Sequence, residues 1–298
     1  MLGTLAVVCL LSSPGCATFG GPAMSLQEER RLGKEAQAEV ERSMEISRDP
    51  VVVNYIRQVG ERLVRANDLT QFDYTFDVVE TPQVNAFAIP GGHLYVNTGL
   101  ICLAESEDEL AGVMGHEIGH AARRHAITQM TAQQQTQAVA LGGAALLSIL
   151  LGQDPGTVSP AAAVPAQLAA QGYLLKYSRD HEREADDLAV QYLHRAGYDP
   201  QAVASFFEKL QAEEPERPGV LAALLSSHPV TADRIEATRE AAAGLGPPTS
   251  RSGTGPEADL GQIQEHLNCD QVRARQRQGS QGRQDDTPDA TGRTPQPR

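Results

Sequence analysis

The chain has 298 residues and a formal net charge of −13, and 41% of its residues are hydrophobic. This length and composition suit a globular protein of one sizeable domain or two small ones. Because acidic residues are in surplus and Lys and Arg form no basic stripe, we expect no nucleic acid among its partners.

The N-terminal segment has the pattern of a signal peptide. Residues 5–11, LAVVCLL, form an apolar run that is too short to span a bilayer. The following SSPGCA resembles a lipobox, in which the cysteine is lipidated and becomes the mature N-terminus. We therefore predict a signal peptide over residues 1–16 and a lipid anchor at Cys16, with plain secretion as the alternative.

Two hydrophobic periods alternate in the first part of the mature chain. Helical spacing begins at Ser25, which starts a capping-box pattern, and begins again at Asp49-Pro50. Residues 72–80 alternate apolar and polar side chains, which is typical of a strand. Residues 83–100 are β-prone and broken by two glycines, so they predict a strand, a turn and a second strand.

The later part of the chain has mainly helical spacing. Ser106 begins one helix, and residues 178–196 form another that ends before Gly197. Between them, residues 139–152 are apolar but short for a membrane span, so we predict a buried or interfacial helix hairpin, with a membrane-dipping segment as the alternative.

The C-terminal composition differs from the rest. Residues 246–298 are rich in Pro, Gly, Ser, Thr, Gln and Arg, which predicts a mostly disordered tail after a folded domain over residues 24–245. Cys102 lies in an apolar context and Cys269 in this polar tail. A bridge between them is one alternative, but we expect a buried Cys102 and a free Cys269.

Residues 113–125, VMGHEIGHAARRH, contain the pattern HExxH. On a helix, His116 and His120 share a face, so their imidazoles point at one ion, and zinc suits imidazole nitrogen. Glu117 is rotated off that pair, where a general base for water attack belongs. The alternative is two ordinary histidines on a surface or in a core.

A catalytic zinc site also needs a third protein ligand and an open fourth position. Glu182 and Asp186 lie four residues apart on a helix face that continues with apolar residues. A carboxylate there is costly without a cationic or metal partner. Glu182 is therefore the candidate third ligand, and Asp186 would accept a hydrogen bond from a ligand histidine. The alternative is a solvated charged face, which is how we interpret Glu184 and Asp187.

Three stretches together, NAFAIPGG, HEIGHAARRH and SRDHEREAD, resemble the HExxH zinc metallopeptidase family of the CAAX prenyl endopeptidases and HtpX. The similarity covers about residues 25–244 and is greatest to the soluble periplasmic branch typified by the β-barrel assembly-enhancing protease, without that branch's C-terminal helical repeats. It implies an α+β fold: a mostly helical gluzincin-type core with a small β-sheet whose edge strand flanks the active site. It also implies one zinc ion per chain, with the roles given above for His116, Glu117, His120, Glu182 and Asp186.

The stretch SSHPVTADR resembles a late motif of the same family, which maps to His228 and Arg234. A His and an Arg near the zinc ion stabilise the oxyanion that forms when water attacks a carbonyl. The resemblance also allows His228 to plug the fourth metal position. A His-Pro turn at the start of a helix is the third interpretation.

The stretch NAFAIPGG predicts how a substrate binds. An edge strand holds an extended peptide by adding it as another strand, and the resemblance places this strand beside the metal. The predicted substrate-binding residues are Asn85, Ala86, Phe87 and Ala88. We also expect that none of His93, His125, His181 and His194 binds the metal.

These features predict a zinc-dependent endopeptidase of the cell envelope that degrades misfolded or misassembled envelope proteins. It would be periplasmic and held at the outer membrane by its N-terminal lipid. One alternative is a latent or inactive protease-fold chaperone or adaptor for outer-membrane proteins, and another is a structural lipoprotein whose zinc joins two helices. The occupant of the fourth coordination position distinguishes them.

Overall fold

The structure is a computed structural model that describes residues 24–132, 177–246, 248 and 259–281. The predicted signal peptide, Cys16 and the hairpin at 139–152 lie outside these residues. The elements are α1 (Leu26–Ser43), α2 (Pro50–Ala66), β1 (Thr75–Val79), β2 (Ala86–Ile89), β3 (His93–Asn97), α3 (Thr98–Leu103), α4 (Glu107–Ala122), α5 (Arg179–Ala196), α6 (Ala202–Glu213), α7 (Pro218–Ser227), α8 (Ala232–Gly244), α9 (Leu260–His266) and α10 (Cys269–Gln281). Within the described ranges, no helix combines the length and apolar character that a membrane span requires.

Local sequence signals set the helix starts, as predicted. The Ser25 side chain accepts a hydrogen bond from Glu28 N–H, and the Glu28 carboxylate accepts one from Ser25 N–H, which completes a capping box. Asp49 caps α2 by accepting from Val51 N–H. The helix α2 then buries its apolar stripe completely.

The three strands form one mixed sheet with the order β1-β3-β2. β3 runs parallel to β1 and antiparallel to β2, which confirms the predicted strand-turn-strand. Gly91 and Gly92, both with φ of 87°, make the turn between β2 and β3, a conformation that glycine adopts without steric cost. β2 is thus an edge strand, and it packs against α4, in agreement with the predicted α+β class.

The helices α4 and α5 approach each other closely at small residues. A Cβ atom on Gly119 would lie 3.3 Å from the backbone of Ala185, and one on Gly115 would lie 3.1 Å from Leu193 Cδ1. Glycine at both positions therefore lets the two backbones come near each other. This contact brings the middle of α4 against the first turns of α5, where the second half of the predicted site lies.

Residues 260–281 are folded, so the prediction of a mostly disordered tail is wrong for this segment. Side chains of α9 and α10 donate to backbone carbonyls of the rest of the fold. Those at the end of α3 lack helical partners because the helix ends there, and Pro82 lies in the segment before β2. The donors are Gln264 (to Ile101 and Ala104), Arg273 (to Cys102) and Gln276 (to Pro82). The segment docks through these polar groups as well as through the buried Leu260 and Ile263, and its many polar residues are the reason that its composition resembles that of a disordered chain.

Cys102 and Cys269 form a disulfide with 5.3 Å between their Cα atoms. The expectation of a free Cys269 is therefore wrong. Cys269 is the first residue of α10, and the docking of α9 and α10 brings it against the buried Cys102 on α3. The bond joins positions 167 residues apart and fastens the C-terminal helices to the rest of the fold.

Replacing Cys269 by serine should lower the free energy of unfolding by about 2–5 kcal/mol, because the unfolded chain regains the freedom that the cross-link removes. Urea denaturation of the oxidised protein measures this difference. Wild-type protein in excess reductant is the control and should unfold like the variant. Equal stability of oxidised wild type and variant would contradict the disulfide.

Candidate metal centre

Four buried side chains from three parts of the fold converge on one point. α4 supplies two imidazoles, α5 a carboxylate from its first turn, and the residue after α7 a third imidazole. His116 Nε2 lies 3.0 Å from His120 Nε2 and 3.3 Å from His228 Nδ1. Glu182 Oε1 lies 3.0 Å from His228 Nδ1 and 3.4 Å from His120 Nε2.

These spacings fit a metal ion. A tetrahedral zinc ion with bonds of about 2.0–2.1 Å holds its donor atoms roughly 3.3 Å apart. The four donor atoms, which all lie within 4.8 Å of one another, approximate such a tetrahedron. Three imidazole nitrogens and a carboxylate oxygen also match the ligand types that zinc prefers.

The charge balance of the buried site also fits a metal ion. Three carboxylates are buried here, on Glu117, Glu182 and Asp186, and Arg234 is the buried guanidinium that contacts two of them. With neutral imidazoles, this set keeps two negative charges uncompensated. Buried charges are stable when they are paired or coordinate a metal, and a divalent cation would balance the two remaining charges.

Asp186 and Arg234 contact His116 and Glu182 on the sides of these residues that face away from the four donor atoms. Asp186 Oδ1 lies 2.9 Å from His116 Nδ1, the nitrogen of that ring that faces away from the cluster. Arg234 Nε and Nη2 each donate to an Asp186 oxygen at 2.8 Å. Arg234 Nη1 lies 2.8 Å from Glu182 Oε2, and the guanidinium lies over the Phe207 ring at 4.8 Å.

The position of Arg234 differs from the sequence-based expectation. Its donors are directed at two carboxylates and at the carbonyl of Pro229, whereas oxyanion stabilisation requires donors aimed at a reacting carbonyl. Burial raises the pKa of the Asp186 and Glu182 carboxyls, but their neighbours outweigh it. Arg234 and His116 hold the pKa of Asp186 below its ordinary value, and the imidazoles of the cluster hold that of Glu182 well below.

Glu117 lies between the cluster and the sheet. Its Oε1 is 3.5 Å from His228 Nε2, and its carboxylate accepts a hydrogen bond from Ala88 N–H on β2. Burial raises the pKa of Glu117 above its ordinary value, which brings a carboxylate closer to the proton affinity that a general base needs near neutral pH.

The predicted substrate strand contains an unpaired polar side chain. Asn85 is fully buried at the start of β2, and neither its amide nitrogen nor its amide oxygen has a hydrogen-bond partner among the described residues. The residues that follow it, Ala86, Phe87 and Ala88, form the edge strand. A buried amide without partners is costly, so this position has the capacity to bind a further polar group.

A small apolar cavity of about 20 Å³ adjoins Glu117, His116 and His228. Its other lining residues come from α4, α6, α7 and the turn after α7: Gly112, Val113, Val203, Phe206, Phe207, Leu210, Leu224 and Val230. The cavity has room for about one water molecule, and its walls form an apolar surface next to the cluster.

Among the described residues, none of His93, His125, His181 and His194 belongs to the cluster. His125 nevertheless contacts it, because its Nδ1 lies 2.9 Å from His120 Nδ1 and its Nε2 lies 3.1 Å from Glu184 Oε2. Sequence reasoning missed this contact and placed Glu184 on a solvated face. Tyr177, which stacks on the His120 ring at 4.0 Å, was also missed, since no local pattern marks it.

An HExxH helix packed on a sheet edge, with a carboxylate from a second helix completing a buried cluster, is the architecture of a metallopeptidase. The family model described as Peptidase family M48 matches residues 50–242, and the chain belongs to this family. The family confirms the resemblance inferred from the three sequence stretches.

Named relatives agree with this assignment. The chain is 31% identical over 231 residues to the β-barrel assembly-enhancing protease of Escherichia coli (strain K12). The aligned region covers 77% of this chain and 47% of that protein. It is 29% identical over 221 residues to the mitochondrial metalloendopeptidase OMA1 of Schizosaccharomyces pombe, covering 73% and 62%. It is 25% identical over 241 residues to the metalloprotease YcaL of Escherichia coli (strain K12), covering 76% and 85%. The chain thus spans about half the length of the first of these relatives.

Replacing Arg234 by alanine should lower the free energy of unfolding by about 3–5 kcal/mol, because it leaves two buried carboxylates without their cation. Arg239→Ala, on the same helix, is the matched control. Arg239 pairs with Glu208 and Glu236 in an exposed setting, so its loss should cost about 1 kcal/mol or less. Denaturant unfolding in the presence of a chelator measures both, and equal effects would show that the buried network adds nothing.

Proposed function

We propose that this chain is a zinc-dependent endopeptidase in which His116, His120 and Glu182 hold the ion and Glu117 is the general base. The observation that carries the proposal is the buried four-donor cluster with Glu117 beside it, 3.5 Å from the fourth donor residue. A zinc ion held there supplies Lewis-acid polarisation of a peptide carbonyl.

The chain's own groups account for the proton transfers. Glu117 takes a proton from the attacking water and passes it to the leaving nitrogen of the cleaved peptide bond. Its burial, its raised pKa and its place next to β2 support this role. Asp186 orients the His116 ring, and Arg234 fixes the carboxylates of Glu182 and Asp186, so we now assign Arg234 a positioning role instead of direct contact with the substrate.

Substrate would bind along β2. In this proposal an extended peptide pairs with the edge strand Ala86–Ile89, the unpaired amide of Asn85 binds its main chain, and one of its side chains packs against the apolar residues beside Glu117. The edge position of β2, the orphaned Asn85 amide and the cavity beside Glu117 each support this arrangement.

His228 would act as a plug in the resting state. Its Nδ1 lies at the fourth corner of the cluster, at 3.3 Å from His116 Nε2 and 3.0 Å from Glu182 Oε1, where a catalytic site keeps an open position. His228 directly follows α7 and precedes Pro229, so a movement of this turn would release the corner. The same observation favours a second candidate function, a latent form that binds envelope proteins without cutting them.

We further propose that the enzyme works in the cell envelope on misfolded or misassembled proteins. The disulfide supports an oxidising compartment such as the periplasm, and a relative named for β-barrel assembly supports envelope substrates. The lipobox-like sequence supports an outer-membrane lipid anchor at Cys16, with secretion as the alternative. Release of a Cys16→Ser variant into the soluble fraction tests the anchor.

The wild-type protein should contain about one zinc per chain, and two variants should separate binding from chemistry. Glu182→Ala removes a ligand and should lose most of the zinc. Glu117→Gln should keep the zinc and the fold but lose casein cleavage by about 10²-fold or more. Elemental analysis and a casein assay measure these quantities.

Asp187→Asn, a change of a carboxylate on the same helix but outside the cluster, is the control for Glu182 and should keep zinc and cleavage. Full zinc occupancy in Glu182→Ala would refute that ligand, and near wild-type cleavage by Glu117→Gln would refute the base.

Replacing His228 by alanine should raise casein cleavage while zinc stays bound, because the change opens the fourth corner of the cluster. His194→Ala, which lies outside the cluster on α5, is the control. A fall in cleavage with zinc retained would instead assign His228 to oxyanion stabilisation. Unchanged cleavage would remove His228 from the catalytic cycle.

A further inference from the structure

The helix that carries HExxH ends just after its second histidine, and the chain then turns sharply. α4 ends at Ala122, and Arg124 has a φ of 58°. This left-handed conformation is uncommon for a residue with a side chain. A new helical stretch begins after the turn, at His125, and His125 is buried against His120, with ring centroids 4.9 Å apart.

The first helix of the fold holds this turn in place. The Arg124 guanidinium donates to the buried carboxylate of Glu29 on α1 and to the backbone carbonyl of Met24. The other Glu29 oxygen accepts a hydrogen bond from Gly91 N–H at the β2-β3 turn. The unusual backbone at Arg124 is therefore stabilised by contacts far from it in sequence, and strained conformations that persist in this way often serve a site.

The hydrogen bonds beyond His120 have one consistent direction. His120 Nε2 faces the cluster, so if it binds a metal its lone pair is on Nε2 and its proton is on Nδ1. That proton is donated to His125 Nδ1 at 2.9 Å, which requires a lone pair there. The proton of His125 is then on Nε2, which donates to Glu184 Oε2 at 3.1 Å, and Arg123 pairs with the other Glu184 oxygen.

We propose that His125 is a positioning residue that fixes the tautomer and ring plane of His120 for metal binding. This proposal rests on the proposed function, because it takes His120 as a metal ligand. His116 has its corresponding partner in Asp186. The two ligand histidines of α4 are thus oriented by different groups, one by a carboxylate that Arg234 fixes and the other by a neutral imidazole that the Arg124 turn fixes.

A purely structural role makes a different prediction. His125 also stacks on His181, with ring centroids 4.2 Å apart and an angle of 15° between the rings. If packing were its contribution, any side chain of similar bulk would preserve the site. If the hydrogen bond is what matters, the acceptor at the Nδ1 position must be kept, whatever the bulk.

The zinc dissociation constant, measured by competition with a chromophoric chelator, separates these roles. His125→Leu and His125→Ala both remove the acceptor and should weaken zinc binding by about 10–100-fold. His125→Asn keeps an acceptor oxygen near the Nδ1 position and should restore affinity to within a few-fold of wild type. His181→Ala removes the stacking partner and should leave the affinity unchanged.

Thermal unfolding of the zinc-free proteins shows which variants fold. Because His125→Leu and His125→Ala both lack the acceptor, the test still decides if one of the two fails to fold. Wild-type affinity in a folded His125→Leu or His125→Ala would overturn the inference, as would an Asn variant as weak as they are. A wild-type protein that binds no zinc would instead overturn the metal assignment itself. The ¹⁵N shifts of the zinc-loaded protein should show His120 protonated on Nδ1 and His125 on Nε2, and the reverse pattern would also overturn the inference.

Discussion

The burial of three carboxylates next to three histidines is the constraint on which the rest of the structure depends. Glu117, Glu182 and Asp186 are each at most 3% exposed, and isolated buried charges of this kind are not tolerated. Arg234 compensates part of the charge by pairing with two of them. The negative charge that remains would be balanced by a divalent cation at the four donor atoms, which lie at metal-ligand spacing. No Lys or Arg besides Arg234 pairs with these carboxylates in the described part of the chain.

The backbone is arranged so that these groups meet. Glycines at 115 and 119 let α4 and α5 approach, and the i to i+4 spacing places ligands of α4 and carboxylates of α5 on facing sides. The sheet edge lies on the other side of α4, where Ala88 N–H binds Glu117. One helix therefore presents its ligands to α5 and its candidate base to the strand proposed to hold substrate.

Local patterns predicted the parts of the fold that depend on local physics. The buried stripe of α2, the glycine turn between β2 and β3 and the facing positions of α4 follow from residue spacing and φ preference. The sequence patterns did not predict the C-terminal helices. Gln264, Arg273 and Gln276 hold these helices by donating to backbone carbonyls, and no sequence pattern reveals which carbonyls are available. The contact of His125 with His120 depends on a left-handed arginine held by α1, and its partners are distant in sequence.

The strand proposed to bind substrate and the residue proposed to plug the metal site are both connected to α7. Val84 N–H, just before β2, donates to the carbonyl of Val220 on α7 at 3.1 Å, and His228 directly follows the last residue of α7. The disulfide-linked helix α10 packs on α7 and also binds Pro82, in the segment that leads into β2. A peptide that pairs with β2 would therefore bind next to a segment that is hydrogen-bonded to α7, the helix that His228 directly follows. If His228 is a plug that substrate displaces, these shared contacts with α7 would link strand addition to its release.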